Sequence, residues 1–102
     1  MIHAKKVERK YFEALLRGEK TFELRREEPG EAPFACGDYL ALNEWESERP
    51  EIVPRYTGRC LLYRITYVLR DYHLLEPGAV ALSLRLMPLS GEDLQTLHEG
   101  RP

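Results

Sequence analysis

Residues 59–70 read Arg-Cys-Leu-Leu-Tyr-Arg-Ile-Thr-Tyr-Val-Leu-Arg, the longest run in the chain that is rich in aliphatic, aromatic and β-branched residues. The run alternates between two faces, and Tyr63 and Tyr67 share one of them with Leu61, Ile65 and Leu69. The shared face predicts that both tyrosines belong to the core. A strand of twelve residues is long for a flat sheet, so the run predicts a strand that bends around a barrel.

The flanking sequence predicts one early helix and further strands. Apolar residues recur at helical spacing between Glu8 and Arg17, and Gly18 follows where a left-handed C-terminal cap is expected. Ser90 and Asp93 resemble a helix N-cap arrangement. The remaining strands are expected at residues 2–7, 21–25, 39–45 and 79–86. The prediction is a single α+β domain over residues 1–102. It is expected to form a small, closed barrel of about five to six mostly antiparallel strands, with one N-terminal helix and a possible short C-terminal helix.

Composition narrows the classes of function. The 102 residues carry a formal charge of −2, which excludes a protein that coats nucleic acid through phosphate contacts alone. Cys36 and Cys60 show no metal-ligand spacing, and the three histidines are scattered, so neither a metal nor a cofactor is expected. The chain has neither a membrane span nor a secretory signal in its sequence, which predicts a cytoplasmic protein without a membrane partner.

The segment Gly18-Glu19-Lys20-Thr21-Phe22-Glu23-Leu24-Arg25 carries the most chemistry. It stands where the helix gives way to a strand, and Glu23 and Arg25 project from one face of that strand. Lys20 could bind phosphate or act as a base, Glu23 could accept hydrogen bonds from a base edge, and Arg25 could bind an anion in bidentate fashion. The alternative interpretation is a solvated strand face with a surface salt bridge.

The pattern Gly18-x-Lys20-x-x-Glu23-x-Arg25 resembles the GxKxxExR motif of the ASCH branch of the PUA-like superfamily, and the chain is more closely similar to the small DUF3850 domains. The similarity covers about the first 85 residues. The other matching residues are His3, Tyr11-Phe12, Gly37-Asp38, Leu40-x-Leu42, Glu44-Trp45, Tyr56-Thr57-Gly58-Arg59, Tyr67-Val68-Leu69-Arg70-Asp71 and Gly78-x-Val80-x-Leu82-Ser83.

The resemblance implies a PUA-like barrel with a helix over one opening and a cleft that binds RNA or a nucleotide-like ligand. Some small ASCH proteins are amidohydrolases that act on N4-acylated cytidines through a lysine, a threonine and a glutamate. The lysine corresponds to Lys20, but Glu23 stands where the threonine is expected. Glu44 is the candidate for the catalytic glutamate, and as an inward carboxylate it needs Lys20 or an arginine as its partner.

A second group of candidates lies in the basic stretch between residues 52 and 70, which contains no acidic residue. Its four arginines could form a basic wall that steers phosphate towards the cleft, or a solvated strand edge that prevents aggregation; they are Arg55, Arg59, Arg64 and Arg70. Tyr56 could stack on an exposed base. The leading hypothesis is therefore an RNA- or nucleotide-binding cleft at Lys20, Glu23 and Arg25. The alternatives are a small amidohydrolase and a protein-interaction accessory domain.

Overall fold

The fold was analysed in a computed structural model, which describes residues 1–88. The elements follow the order β1 (Ile2–Glu8), α1 (Arg9–Leu16), β2 (Phe22–Arg26), β3 (Tyr39–Glu46), β4 (Arg55–Leu69) and β5 (Ala79–Leu86). Five strands and one helix confirm the predicted set of elements within this part of the chain. The C-terminal helix expected near Ser90 and Asp93 lies outside the described residues.

The strands form one mixed sheet in the order β1-β3-β4-β5-β2. β1 pairs with β3 in parallel, and the other three pairings are antiparallel. The sheet curls into a half-barrel, but among residues 1–88 no backbone ladder joins β1 to β2. The prediction of a closed sheet is therefore wrong for the described residues, because the Arg25 side chain, rather than backbone hydrogen bonding, joins the two edge strands.

The helix α1 is short and packs one face on the sheet. Phe12 and Leu15 are buried, whereas Tyr11 and Leu16 of the same apolar stripe are about half exposed. The helix ends at Leu16 because Gly18 adopts a left-handed conformation with φ +76°, and the Gly18 N–H donates to the Leu15 carbonyl at 3.1 Å. This turn directs the chain back towards β2.

The long strand β4 begins at Arg55, four residues earlier than the predicted start, and contains an irregularity between Ile65 and Tyr67. The irregularity reverses the side-chain alternation after that point. Tyr63 and Ile65 are buried as expected, but Tyr67 is 59% exposed and Val68 packs against the core instead. The prediction that Tyr67 belongs to the core is therefore wrong. The core lies inside the curl and contains Val7, Phe12, Leu15, Phe34, Leu40, Leu42, Tyr63, Ile65, Val80 and Leu82.

Candidate functional site

Strand β2 turns its charged face inward and its apolar face outward. Glu23 is only 4% exposed and Arg25 is partly buried, whereas Phe22 is 48% and Leu24 is 60% exposed. A sheet that covers a core normally buries the apolar face of its strands. Burying a carboxylate instead is costly unless it is paired, so the reversal marks this end of the half-barrel as a candidate site.

Two cations hold the buried carboxylate of Glu23. Lys20 Nζ donates to Glu23 Oε1 and also to the backbone oxygen of Phe22 at 2.7 Å. Arg25 Nη1 donates to the other oxygen, Glu23 Oε2, at 3.2 Å. The two interactions compensate the desolvation of Glu23. The three side chains together carry one net positive charge.

Arg25 also joins the two edge strands. Its Nη1 atom donates to the backbone oxygen of Lys6 in β1 at 3.2 Å. The side chain therefore bridges a space where the strands themselves form no ladder. This contact fixes the guanidinium at the mouth of the half-barrel.

A half-open cavity of about 540 Å³ lies between the edges of β1 and β2. Its size is that of a small-molecule site. Its surface is mostly apolar, although five of the nine lining residues are charged. The lining comprises Lys6, Val7, Glu8, Tyr11, Lys20, Phe22, Glu23, Leu24 and Arg25. Lys20, Glu23 and Arg25, which the sequence singled out, thus line one cavity.

Aromatic rings flank the ammonium group of Lys20. Its Nζ atom lies 4.9 Å from the ring centroid of Phe22 and 5.9 Å from that of Tyr11. Both rings remain about half exposed. On the inner side, burial raises the pKa of Tyr63 to about 12, and the negative charge of Glu23 adds to that effect. The cavity therefore combines stacking surfaces, cations and one buried acceptor.

Glu44 belongs to a different cluster. It is 2% exposed and accepts hydrogen bonds from Arg59 Nε at 2.8 Å, from Arg59 Nη2 at 2.6 Å and from the hydroxyl of Thr57. The hydrogen bonds from Arg59 and then from Thr57 lower the pKa of Glu44, and those from Arg59 to Glu44 and Glu13 raise the pKa of Arg59. The partner of Glu44 is thus an arginine and not Lys20, and Glu44 does not line the cavity.

The other predicted contact residues lie elsewhere on the sheet. Arg59 packs over the ring of Phe12 at 4.8 Å and also bonds Glu13, so it ties β4 to α1. Tyr56 contacts Trp45 edge to face with ring centroids 4.8 Å apart, and Arg55 faces Glu46 in the strand register. None of Arg55, Tyr56 and Arg59 lines the cavity.

Sequence reasoning missed the apolar part of the site. The sequence pattern places Tyr11 in a helix, Phe22 and Leu24 in a strand and residues 2–7 in another strand, and it gives none of them a role in the site. The adjacency of Phe22 and Leu24 to the motif was a usable signal. The contribution of Lys6, Val7 and Glu8 had no local signal, because only the curl of the sheet brings β1 next to β2.

Among residues 1–88, no group of three or more metal-ligating side chains converges, and no helix is long and apolar enough to cross a bilayer.

The fold and the cavity define a class of small half-barrel domains with a charged cleft between the two edge strands. Residues 2–84 match the family described as "Domain of unknown function (DUF3850)", and the chain belongs to that family. No curated protein matches the chain.

Proposed function

We propose that this protein binds RNA or a nucleotide-like ligand in the cavity between β1 and β2, and that its half-barrel is of the ASCH/PUA-like type. The observation that carries the proposal is the buried carboxylate of Glu23, held between Lys20 and Arg25 beside two half-exposed aromatic rings. Single-stranded nucleic acid is bound through base stacking on such rings and through hydrogen bonds to base edges.

The charge distribution favours a small target over a long one. The chain carries a net charge of −2, so a long polyanion is not attracted by the protein as a whole. The cavity itself is lined by three positive and two negative side chains. A ligand with one or two phosphates and a flat, partly apolar body suits this balance.

The test is equilibrium binding of labelled single-stranded RNA oligomers and of nucleoside monophosphates to the whole chain. Arg25→Ala removes a charge-assisted donor from the cavity and is expected to weaken binding about tenfold or more. Arg26→Ala is the matched control, because Arg26 bonds Glu76 and the Pro77 carbonyl and does not line the cavity. Equal binding by the two variants would refute the proposal.

A hydrolase acting on a small modified nucleoside is the second candidate. It is favoured by the direct contact between Lys20 and Glu23 inside a cavity, a pairing that could move a proton. In this arrangement Glu23, rather than Glu44, assists Lys20. Turnover of N4-acetylcytidine that Lys20→Ala abolishes would support the hydrolase, and binding without turnover would exclude it for this substrate.

A further inference from the structure

The carboxylate of Glu23 and its two cations form an ordered array of hydrogen-bonding groups. Lys20 contacts Oε1 and Arg25 contacts Oε2, so a donor stands on each side of an acceptor. The exposed fraction of the Glu23 side chain is 5%, against 17% for Lys20 and 22% for Arg25. The carboxylate is therefore the most buried member of the array, and the two cations are more accessible to a ligand in the cavity.

Each member of the array keeps capacity for a ligand. An ionised carboxylate offers about four lone-pair sites, of which the two cations use two. The ammonium of Lys20 has three N–H groups, and the Phe22 carbonyl and Glu23 take two of them. The guanidinium of Arg25 has five N–H groups, and its bonds to Glu23 and Lys6 both leave from Nη1.

Nucleobases differ in how they match a donor beside an acceptor. Uracil presents a ring N–H between two carbonyl oxygens, and guanine presents a carbonyl oxygen beside a ring N–H and an amino group. In uracil the ring N–H can donate to Glu23 while the two flanking oxygens accept from Lys20 and Arg25. In guanine only one side is matched, because its amino group would face the second cation. Adenine and cytosine present an amino group beside an unprotonated ring nitrogen, so they can match Glu23 and one cation. Neither base has a donor with an acceptor on each side, and with the ring nitrogen placed at Glu23 its lone pair would face the carboxylate.

From this array we propose that the cavity selects uracil, whose ring N–H lies between two carbonyl oxygens, over cytosine, adenine and guanine. The inference rests on the proposed function and specifies its ligand class. Its physical basis is electrostatic, because the ring N–H of uracil meets the carboxylate and its two oxygens meet the cations, whereas a ring nitrogen lone pair at the same position is repelled by the carboxylate. Phe22 and Tyr11 provide stacking surfaces for any base, so the discrimination comes from Glu23.

The decisive experiment changes the ligand and leaves the protein intact. Binding of uridine 5′-monophosphate is compared with that of its 3-methyl and 5-methyl derivatives and with cytidine 5′-monophosphate. The 3-methyl group removes the ring N–H, whereas the 5-methyl group adds equal bulk elsewhere on the ring. We expect the 3-methyl derivative and the cytidine nucleotide to bind about tenfold more weakly than uridine 5′-monophosphate, and the 5-methyl derivative to bind within about threefold of it.

A protein variant gives the second arm. In Glu23→Gln the amide offers a donor as well as an acceptor, so the preference for uridine over cytidine nucleotides should disappear while binding itself persists. A melting curve checks that the variant is folded. If it is not, the methylated ligands decide alone.

The outcomes separate this inference from the proposed function. Equal binding of the 3-methyl and 5-methyl derivatives, or tighter binding of the cytidine nucleotide, would overturn the preference for uracil and leave nucleotide binding standing. Failure of all monophosphates and of RNA to bind would overturn both.

Discussion

Arg25 in β2 donates from Nη1 to the backbone oxygen of Lys6 in β1, although these strands stand at opposite ends of the sheet order. A side chain, and not a backbone ladder, therefore spans the gap of the half-barrel. The gap remains open as a cavity lined by both strands. One arginine thus contributes both to the closure of the fold and to the candidate site.

The dual role of Arg25 predicts the behaviour of Arg25→Lys. Lysine keeps the charge, but its ammonium group lies closer to its own backbone than Nη1 of arginine, the atom that contacts both Glu23 and Lys6. We expect faster amide exchange in residues 2–8, with a loss of unfolding free energy of about 1 kcal/mol. Hydrogen exchange read by mass spectrometry checks this result, with Arg26→Lys as the control. Unchanged exchange in β1 would mean that the contact does not hold the edge strand.

Because the apolar face of β2 is exposed, a substitution on that face should weaken RNA binding with little effect on the stability of the fold. Phe22 is 48% exposed, so Phe22→Ser should change the unfolding free energy by less than about 1 kcal/mol. The same change should cost about 1–3 kcal/mol in RNA binding, because a stacking surface is lost. Tyr72→Ser is the control, since Tyr72 is an exposed aromatic residue that does not line the cavity. Equal binding by both variants would contradict the prediction.

Because few cations line the cavity, we expect the affinity for RNA to depend only weakly on the salt concentration. Lys6, Lys20 and Arg25 line it, and Glu23 already pairs with the last two. For single strands, the logarithm of the binding constant falls with the logarithm of the salt concentration, with a slope of about −0.7 for each phosphate neutralised. The slope should therefore not be steeper than about −2. Lys6→Ala should flatten it by about 0.7, whereas Lys5→Ala, which removes a partner of Glu31, should not. A slope near −5 would place the phosphate contacts elsewhere on the protein.

The cluster around Glu44 predicts a pH-dependent stability. Hydrogen bonds from Arg59 and Thr57 lower the pKa of Glu44 in the folded protein from its ordinary value of 4.5. The ionised carboxylate therefore contributes stability that is fully present above pH 4.5 and is lost as the pH falls through the lower folded pKa. Glu44→Gln should lower the unfolding free energy at pH 7 by about 1–3 kcal/mol.

Urea unfolding of wild type and Glu44→Gln at several pH values measures this difference. The difference in unfolding free energy between wild type and Glu44→Gln should shrink as the pH falls below 4.5. Glu28→Gln, at an exposed loop position, is the control and should follow wild type at every pH. A difference in unfolding free energy that stays constant down to low pH would show that the substitution destabilises the protein through packing rather than through charge.

Local sequence was enough to predict the elements and the polar centre of the site. The apolar spacing with Gly18 predicted α1, and alternation predicted each strand within a few residues. The spacing of Lys20, Glu23 and Arg25 placed three chemical groups within reach of one another. These features depend on a few neighbouring residues, which is why they can be read from the sequence alone.

Alternation could not show which face of β2 is buried. Phe22 and Leu24 suggest an apolar inner face, yet the sheet buries Glu23 and exposes both. The choice depends on the residues that curl round from β1, and Lys6 is nineteen positions from Arg25 in the chain. The exposure of Tyr67 was missed for a related reason, since one irregularity in the pairing with β5 reverses the alternation after Ile65.

By itself the sequence determined the order of helix and strands, the turn at Gly18 and the grouping of a lysine, a glutamate and an arginine, because these follow from short-range periodicity and backbone preference. Only the tertiary structure decided that the half-barrel stays open between β1 and β2, that Glu44 pairs with Arg59 away from the cavity, and that Tyr11 and Phe22 flank Lys20. The physical reason is that sheet curvature and strand register bring together residues far apart in the chain, and neither is encoded in any short segment.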